Sequence, residues 1–235
     1  MSDQLQAGVA RIDITPPLGL TMAGYGGRTE TANGIEDPLY AYAVVLEQGE
    51  EACGFVVGDL IGLPRRLTQM LRERVTELCG LPGEKVFTCG THTHWGPALN
   101  KTNYLSGTLN DCVSEEYAVT CIRQMAGAIA EAWRTRRPAI ALAGTGEADQ
   151  VKFNRRPVNA EGKNEMNLRL PLDEALVASR VGAELAETWK KDGPPGERLS
   201  DLRDDVQGLR MGPANTELPL LKLITPEGEP IAALF

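Results

Sequence analysis

The only two histidines of this 235-residue chain stand one residue apart, in Thr91-His92-Thr93-His94-Trp95-Gly96-Pro97. Neutral imidazole is the commonest metal ligand and also a near-neutral acid or base. On an extended strand the side chains at i and i+2 share a face. The spacing therefore predicts two ring nitrogens delivered together at a strand end, with Gly96-Pro97 turning the chain away. Such a pair is a recurrent start for a metallohydrolase site. Its plainer alternative makes one histidine a hydrogen-bonded loop residue. The Asp-His that a metallo-β-lactamase-type site places directly after its pair is missing, and an amidohydrolase-type barrel needs further histidines that the chain does not have. Any metal site must be completed by carboxylates or by residues beyond Phe235.

Three other polar features can do chemistry. Asp59 follows the apolar run Ala52-Cys53-Gly54-Phe55-Val56-Val57-Gly58, and α/β folds place site residues at such strand ends; a turn or capping aspartate is the structural alternative. Arg155, in Asn154-Arg155-Arg156-Pro157, can orient a carbonyl or stabilise an oxyanion, or serve as an ion-paired surface residue. Gly24-Tyr25-Gly26-Gly27-Arg28 is glycine-rich but lacks the Lys-Ser/Thr of a phosphate loop, so it reads as a turn-rich loop rather than a nucleotide site.

The elements that must carry these residues follow from periodicity. Residues 7–14 alternate and read as a strand ended by Pro16, Pro17 and Gly19. Residues 39–47 and 52–58 form a hairpin around Gln48-Gly49-Glu50-Glu51, the second strand apolar enough to be covered on both faces. A helix follows, with Pro64 in its first turn, Leu67, Leu71, Val75 and Leu78 as its stripe, and Gly80 just past its end. The strand 85–90 then runs into the histidine pair. Residues 98–113 read as a polar loop. Ser114 caps a helix to about Arg136, with Ala118, Ile122, Met125, Ile129 and Trp133 on one face and Pro138 as its stop. Residues 139–145 read as a strand and 146–167 as a loop. Asp173 caps a third helix, with Val177, Val181, Leu185 and Trp189 as its stripe, and 218–224 with 230–235 form a final hairpin. The chain stops within an apolar strand, so it is expected to be part of a longer domain.

Composition excludes several partners. A net charge of -8 offers no basic face for nucleic acid or an anionic membrane. No apolar run approaches the ~20 residues of a transmembrane helix. The N-terminus lacks the basic and apolar regions of a signal peptide, and the five cysteines contain no C-x-x-C pair. Together these predict reduced thiols in a cytoplasmic setting.

Several phrases then converge in order: Asp13-Ile14-Thr15-Pro16-Pro17-Leu18-Gly19, Ala23-Gly24-Tyr25-Gly26-Gly27-Arg28, Gly34-Ile35-Glu36-Asp37-Pro38-Leu39-Tyr40-Ala41, Gly58-Asp59-Leu60-Ile61-Gly62-Leu63, the histidine phrase, and Asn154-Arg155-Arg156-Pro157. In this order and spacing the chain resembles the N-terminal part of the neutral/alkaline non-lysosomal ceramidase family. It departs from the family at Tyr42, where an arginine is frequent. Residues 168–211 match nothing in the family and read as an insertion within a single, incomplete catalytic domain spanning 1–235.

The resemblance implies an α/β fold of mixed β-sheet layers flanked by helices. It also implies a zinc-dependent amidase whose substrate is ceramide or another lipid-like N-acyl amide. Its characterised members release sphingosine and a fatty acid, and are often secreted. His92 matches a zinc ligand. His94 matches the residue beside the attacking water, and Arg155 an arginine near the substrate carbonyl. The remaining ligands, a histidine, a glutamate and a tyrosine, come later in the family's sequence. Zinc so held lowers the pKa of bound water to about 7. Two rival expectations stand beside this one: a non-catalytic binding or scaffold protein that keeps the fold, and a hydrolase of a different amide or ester.

Overall fold

Alternation in the N-terminal third produces strands that pair by hairpin and crossover. The computed structural model describes residues 4–102, 107–148, 162–163 and 215–235. Strand β1 (Gln6–Asp13) pairs antiparallel with β2 (Tyr40–Gln48), and β2 with β3 (Glu51–Gly58) across the Gly49-Glu50 turn. Helix α1 (Arg65–Cys79) then carries the chain back so that β4 (Val86–Gly90) lies parallel to β3, with Gly58 beside Gly90. This βαβ unit brings the exits of β3 and β4 to the same edge of the sheet.

After a short helix α2 (Gly107–Asp111) comes α3 (Glu115–Arg134). A two-residue strand β5 (Arg137–Pro138) completes the sheet order β4-β3-β2-β1-β5. Strands β6 (Ile140–Glu147), β7 (Glu217–Ile224) and β8 (Pro230–Leu234) form a second sheet in that order. The architecture is mixed α/β: antiparallel and parallel strands in two sheets, with helices.

One face of the first sheet meets the apolar stripes of α1 and α3. Leu67, Leu71 and Val75 pack with Ile122, Met125 and Ile129 over Ala43, Val45 and Val56. Each fully buried aliphatic side chain contributes roughly 1.5–3 kcal/mol. Gly8 lets α3 approach β1 at backbone distance, since a Cβ there would lie 1.8 Å from the Ala132 carbonyl oxygen. On the opposite face Ala7, Val44 and Leu46 pack against Leu221, Leu223 and Leu234. The chain divides into two compact units, Met1–Ala143 with Leu220–Phe235, and Gly144–Pro219. In the second, the Ala148 amide donates to the Thr216 carbonyl at 2.8 Å. No helix among the described residues is long and apolar enough to cross a membrane.

Several local expectations change. Strand β3 is not covered equally on both faces: Gly54, Val56 and Gly58 are buried under α1 and α3, while Cys53, Phe55 and Val57 are half-buried, with no helix among the described residues packed on their side. Leu78 is 42% exposed, beyond the reach of the sheet. Pro64 is the N-cap of α1 rather than a residue of its first turn. The expected polar loop 98–113 contains α2 and buries Ala98, Leu99 and Leu109. The Pro138 stop serves β5 as well as ending the helix. Gly80 ends α1 in the left-handed conformation, and Ser114 caps α3 by accepting from the Tyr117 amide at 3.0 Å. The third helix at Asp173, the stretch 168–211 and Arg155 lie outside the described residues.

Candidate functional site

The two imidazoles come together, though not by strand alternation. Strand β4 ends at Gly90, and His92 adopts φ 61°, the left-handed region. Histidine tolerates that region better than most side chains. The cause is the crowded exit of the βαβ unit. The Thr91 amide donates to the Gly58 carbonyl, and the His92 amide to the Leu60 carbonyl, each at 3.0 Å. Gly90 passes so close that a Cβ would lie 2.6 Å from the Leu60 carbonyl oxygen. The chain must turn sharply there, and that turn, rather than a β pleat, sets the rings 5.3 Å apart at 65°.

The two rings have different surroundings. His92 is exposed, and its Nδ1 lies 2.8 Å from the Ile61 carbonyl. A carbonyl can only accept, so Nδ1 carries the proton and Nε2 keeps its lone pair. This is the arrangement metal-binding histidines adopt, with the second nitrogen tied to an acceptor that fixes tautomer and ring direction. His94 is half-buried, and its Nδ1 is buried with no hydrogen-bond partner. That leaves Nε2 as the nitrogen able to exchange a proton with a ligand.

The loop read as merely turn-rich forms the wall behind His94. Gly24, at φ 104°, faces the ring so closely that a Cβ would lie 2.4 Å from His94 Cγ. Tyr25 meets the ring edge-on at 4.7 Å. Arg28 donates to the Ala23 and His94 carbonyls, both at 2.6 Å. Its guanidinium lies over the rings of Tyr25 and Trp95, at 5.0 and 5.4 Å. Partial burial pushes the Arg28 pKa below its ordinary value, opposed by Tyr25. Strand-like bonds tie this loop to the segment after the pair: the Ala23 amide donates to Gly96, and the Ala98 amide to Thr21. The sequence signal for this wall was the phrase Gly24-Tyr25-Gly26-Gly27-Arg28 itself.

Other motif residues are structural. The Asp59 carboxylate accepts from the Tyr40 amide at 2.9 Å, while the Asp59 amide donates back to the Tyr40 carbonyl at 2.8 Å. The Asp13 carboxylate accepts from the Thr15 amide, and hydrogen bonding from Thr15 holds its pKa below the ordinary value. The Thr15 hydroxyl accepts from the Leu39 amide at 2.9 Å. The Tyr117 hydroxyl, buried, donates to the Ile14 carbonyl. These bonds fix the start of β2 and the ends of β1 and β3.

Beside the pair opens a cavity of about 710 Å³, lined by Leu18, Leu20, Met22, Ile35, Leu39 and Trp95 among others. Trp95 stands 67% exposed at its wall. Among the described residues no group of three or more His, Cys, Asp or Glu side chains could hold a metal ion. The oriented His92 imidazole fits one position of a zinc coordination sphere, which takes three or four protein ligands.

The N-terminal sequence profile of neutral/alkaline non-lysosomal ceramidase matches residues 5–167. The chain belongs to that family. Its fold also matches two solved structures. One is the crystal structure of neutral ceramidase from Pseudomonas aeruginosa, at 17% identity and TM-score 0.61 over 99% of this chain. The other is a ceramidase complexed with C2, at 19% identity and TM-score 0.63 over 98% of this chain. This chain spans 31% and 30% of those two chains. The ceramidase profile covers the loop wall, Asp59, the histidine pair and Arg155, and ends just before the stretch 168–211.

Proposed function

We propose that this chain carries the histidine-bearing part of a zinc-dependent hydrolase of N-acyl amides, with ceramide as the substrate class. The observation that carries the reading is the His92 ring, with Nδ1 committed to the Ile61 carbonyl and Nε2 left free as a ligand. Membership of the ceramidase family supports a lipid-like amide, and the cavity beside the pair, apolar at Leu18, Leu20, Met22, Ile35 and Leu39 and polar at Asn33, Glu36 and Asp37, suits a substrate with both a hydrocarbon and a polar portion.

His92 would hold the metal, which when bound supplies Lewis acidity and makes water acidic near neutral pH. Zinc ligands beyond His92 come from outside the described residues. His94 would take a proton from the attacking water and pass it to the departing amine through Nε2. Its Tyr25-Gly24 wall keeps the ring from rotating away from His92. Arg155 would orient the substrate carbonyl and offset the charge developing on its oxygen. The Leu18, Leu20, Met22, Ile35 and Leu39 side chains would bind the apolar part of the substrate and exclude water.

The test is His92→Ala in a version of the protein that spans the whole ceramidase domain, read by elemental analysis and by hydrolysis of short N-acyl amides and of ceramide. Zinc falls from about one equivalent to none and activity is lost. A mutant that keeps stoichiometric zinc sinks the assignment. The rival reading is a binding or scaffold protein that keeps the fold. Wild-type protein without zinc or hydrolysis would favour that reading. Turnover of short amides but not ceramide would favour a hydrolase of another substrate.

A further inference from the structure

Arg28 is placed in a way its sequence context does not require. It is half-buried, and no carboxylate forms an ion pair with it among the described residues. A loop that only needed to turn would not bury a guanidinium at the expense of its hydration. What Arg28 gains instead is two backbone carbonyls on opposite sides of the site. One nitrogen binds Ala23, five residues back in its own loop, and the other binds His94, 66 residues away. The plane between those contacts is flanked by the rings of Tyr25 and Trp95.

Only arginine among the side chains makes this set of contacts. Its planar fork presents several donors in fixed directions and stacks on aromatic faces, whereas a lysine ammonium is a compact, strongly hydrated point charge. The contacts form a chain. Arg28 grips the His94 carbonyl and covers the Tyr25 ring, Tyr25 abuts the His94 imidazole at 4.7 Å, and that imidazole stands 5.3 Å from His92. Gly24 abuts the same ring at its Cγ and Nδ1.

We propose that Arg28 is a positioning residue for His94: it clamps the Ala23–Arg28 loop to the His94 backbone and thereby fixes the imidazole relative to His92. The inference rests on the reading of His94 as the proton carrier. Arg28 acts through the backbone and Tyr25, so its loss lowers turnover more than substrate binding. Misplacing a reacting group by about 1 Å costs up to about 100-fold in rate.

The experiment compares wild type with Arg28→Lys, which keeps the charge but not the fork, and with Arg28→Ala. With only two histidines, imidazole nitrogen and carbon-bound proton spectra contain two ring systems, and His94→Gln assigns them. Both variants are expected to lose the Tyr25-to-His94 cross-relaxation and to move the His94 resonances. The Nδ1-protonated signature of His92 should stay in place. On a short N-acyl amide, kcat falls about 10- to 100-fold while KM stays within about twofold. Arg28→Lys with a wild-type His94 spectrum overturns the proposal. So does a KM rise with kcat kept, which would make Arg28 a substrate-binding group. Should Arg28→Ala fail to fold, Arg28→Lys and Tyr25→Leu carry the test, the latter removing the ring-edge contact while leaving the clamp. If wild type hydrolyses no amide, the functional reading fails, and the spectra alone still decide whether Arg28 fixes the ring.

Discussion

Replacing Gly24 by alanine tests the site with one methyl group. A Cβ at Gly24 would lie 2.4 Å from His94 Cγ and 2.7 Å from both its Cβ and Nδ1. Ordinary carbon contacts fall at about 3.5–4.0 Å, so the imidazole must retreat by roughly 1–1.5 Å. Two of its directions are taken, by Tyr25 at 4.7 Å and by His92 at 5.3 Å. Backbone adds to the strain. Gly24 sits at φ 104°, outside the left-handed well that His92 occupies at φ 61°, and a non-glycine residue forced there costs about 1–3 kcal/mol. Gly24 is exposed and belongs to no core cluster, so that strain is the main stability loss. The expected result is a kcat lower by about 100-fold with a urea midpoint only modestly reduced. Kinetics on a short N-acyl amide, zinc content and urea unfolding measure the three effects. Gly26→Ala is the control, since a Cβ there meets nothing within 4 Å and its φ is not positive. Gly24→Ala with activity within about threefold of wild type would refute the link between ring placement and turnover. Equal losses in both variants would point to loop stiffness instead.

Two further predictions concern the scaffold. Gly8→Ala places a Cβ 1.8 Å from the Ala132 carbonyl oxygen, a backbone atom that cannot swing aside, so urea unfolding should show a loss of about 3 kcal/mol or more; a change under about 1 kcal/mol would refute the close β1–α3 approach. Burial pushes the Cys121 thiol up to about 11, and burial raises the Tyr117 hydroxyl as well. Folding therefore holds these protons more tightly. The contribution is fully present below the unfolded thiol value near 9.0 and is lost as pH climbs toward 11, on the order of 2–3 kcal/mol from Cys121. Urea midpoints between pH 7 and 11 should fall accordingly and fall less steeply in Cys121→Ala; a flat profile would contradict the burial argument.

Much of the scaffold was legible because its signals are local. The alternation of 7–14, the stripe Leu67-Leu71-Val75, the cap at Ser114 and the terminator at Gly80 each depend on neighbours a turn or a strand away. What was hidden depends on distant chain. The left-handed His92 follows from Gly90 passing the Leu60 carbonyl, a contact set by β3 lying parallel to β4. The helix at Gly107–Asp111 was masked by its short length and polar residues, with Leu109 its one buried side chain. The phrase that ends in Arg28 was visible, but not what Arg28 does in it, because one of its two partners is a carbonyl 66 residues on. The pairing of His92 with His94 was anticipated for a different reason from the one that holds: a tight turn brings the rings together, not a pleat.

The family phrases mix residues that look equally able to do chemistry, and the structure separates them by what their polar atoms already do. Asp13 and Thr15 accept from backbone amides at the β1–β2 junction, and Asp59 accepts from the amide that starts β2. A carboxylate committed in this way loses an anchor of the sheet if it turns toward a ligand, so these motif residues build the edge on which the site stands. His92 and His94 differ. One holds a single acceptor and presents its other nitrogen outward, and the other keeps a buried nitrogen unpartnered. An unpartnered buried polar atom is costly, so the His94 ring is held by the Gly24–Tyr25 wall around it rather than by a bond at Nδ1. That asymmetry, rather than the bare His-x-His spacing, sets the two imidazoles apart from the carboxylates that hold this edge of the sheet together.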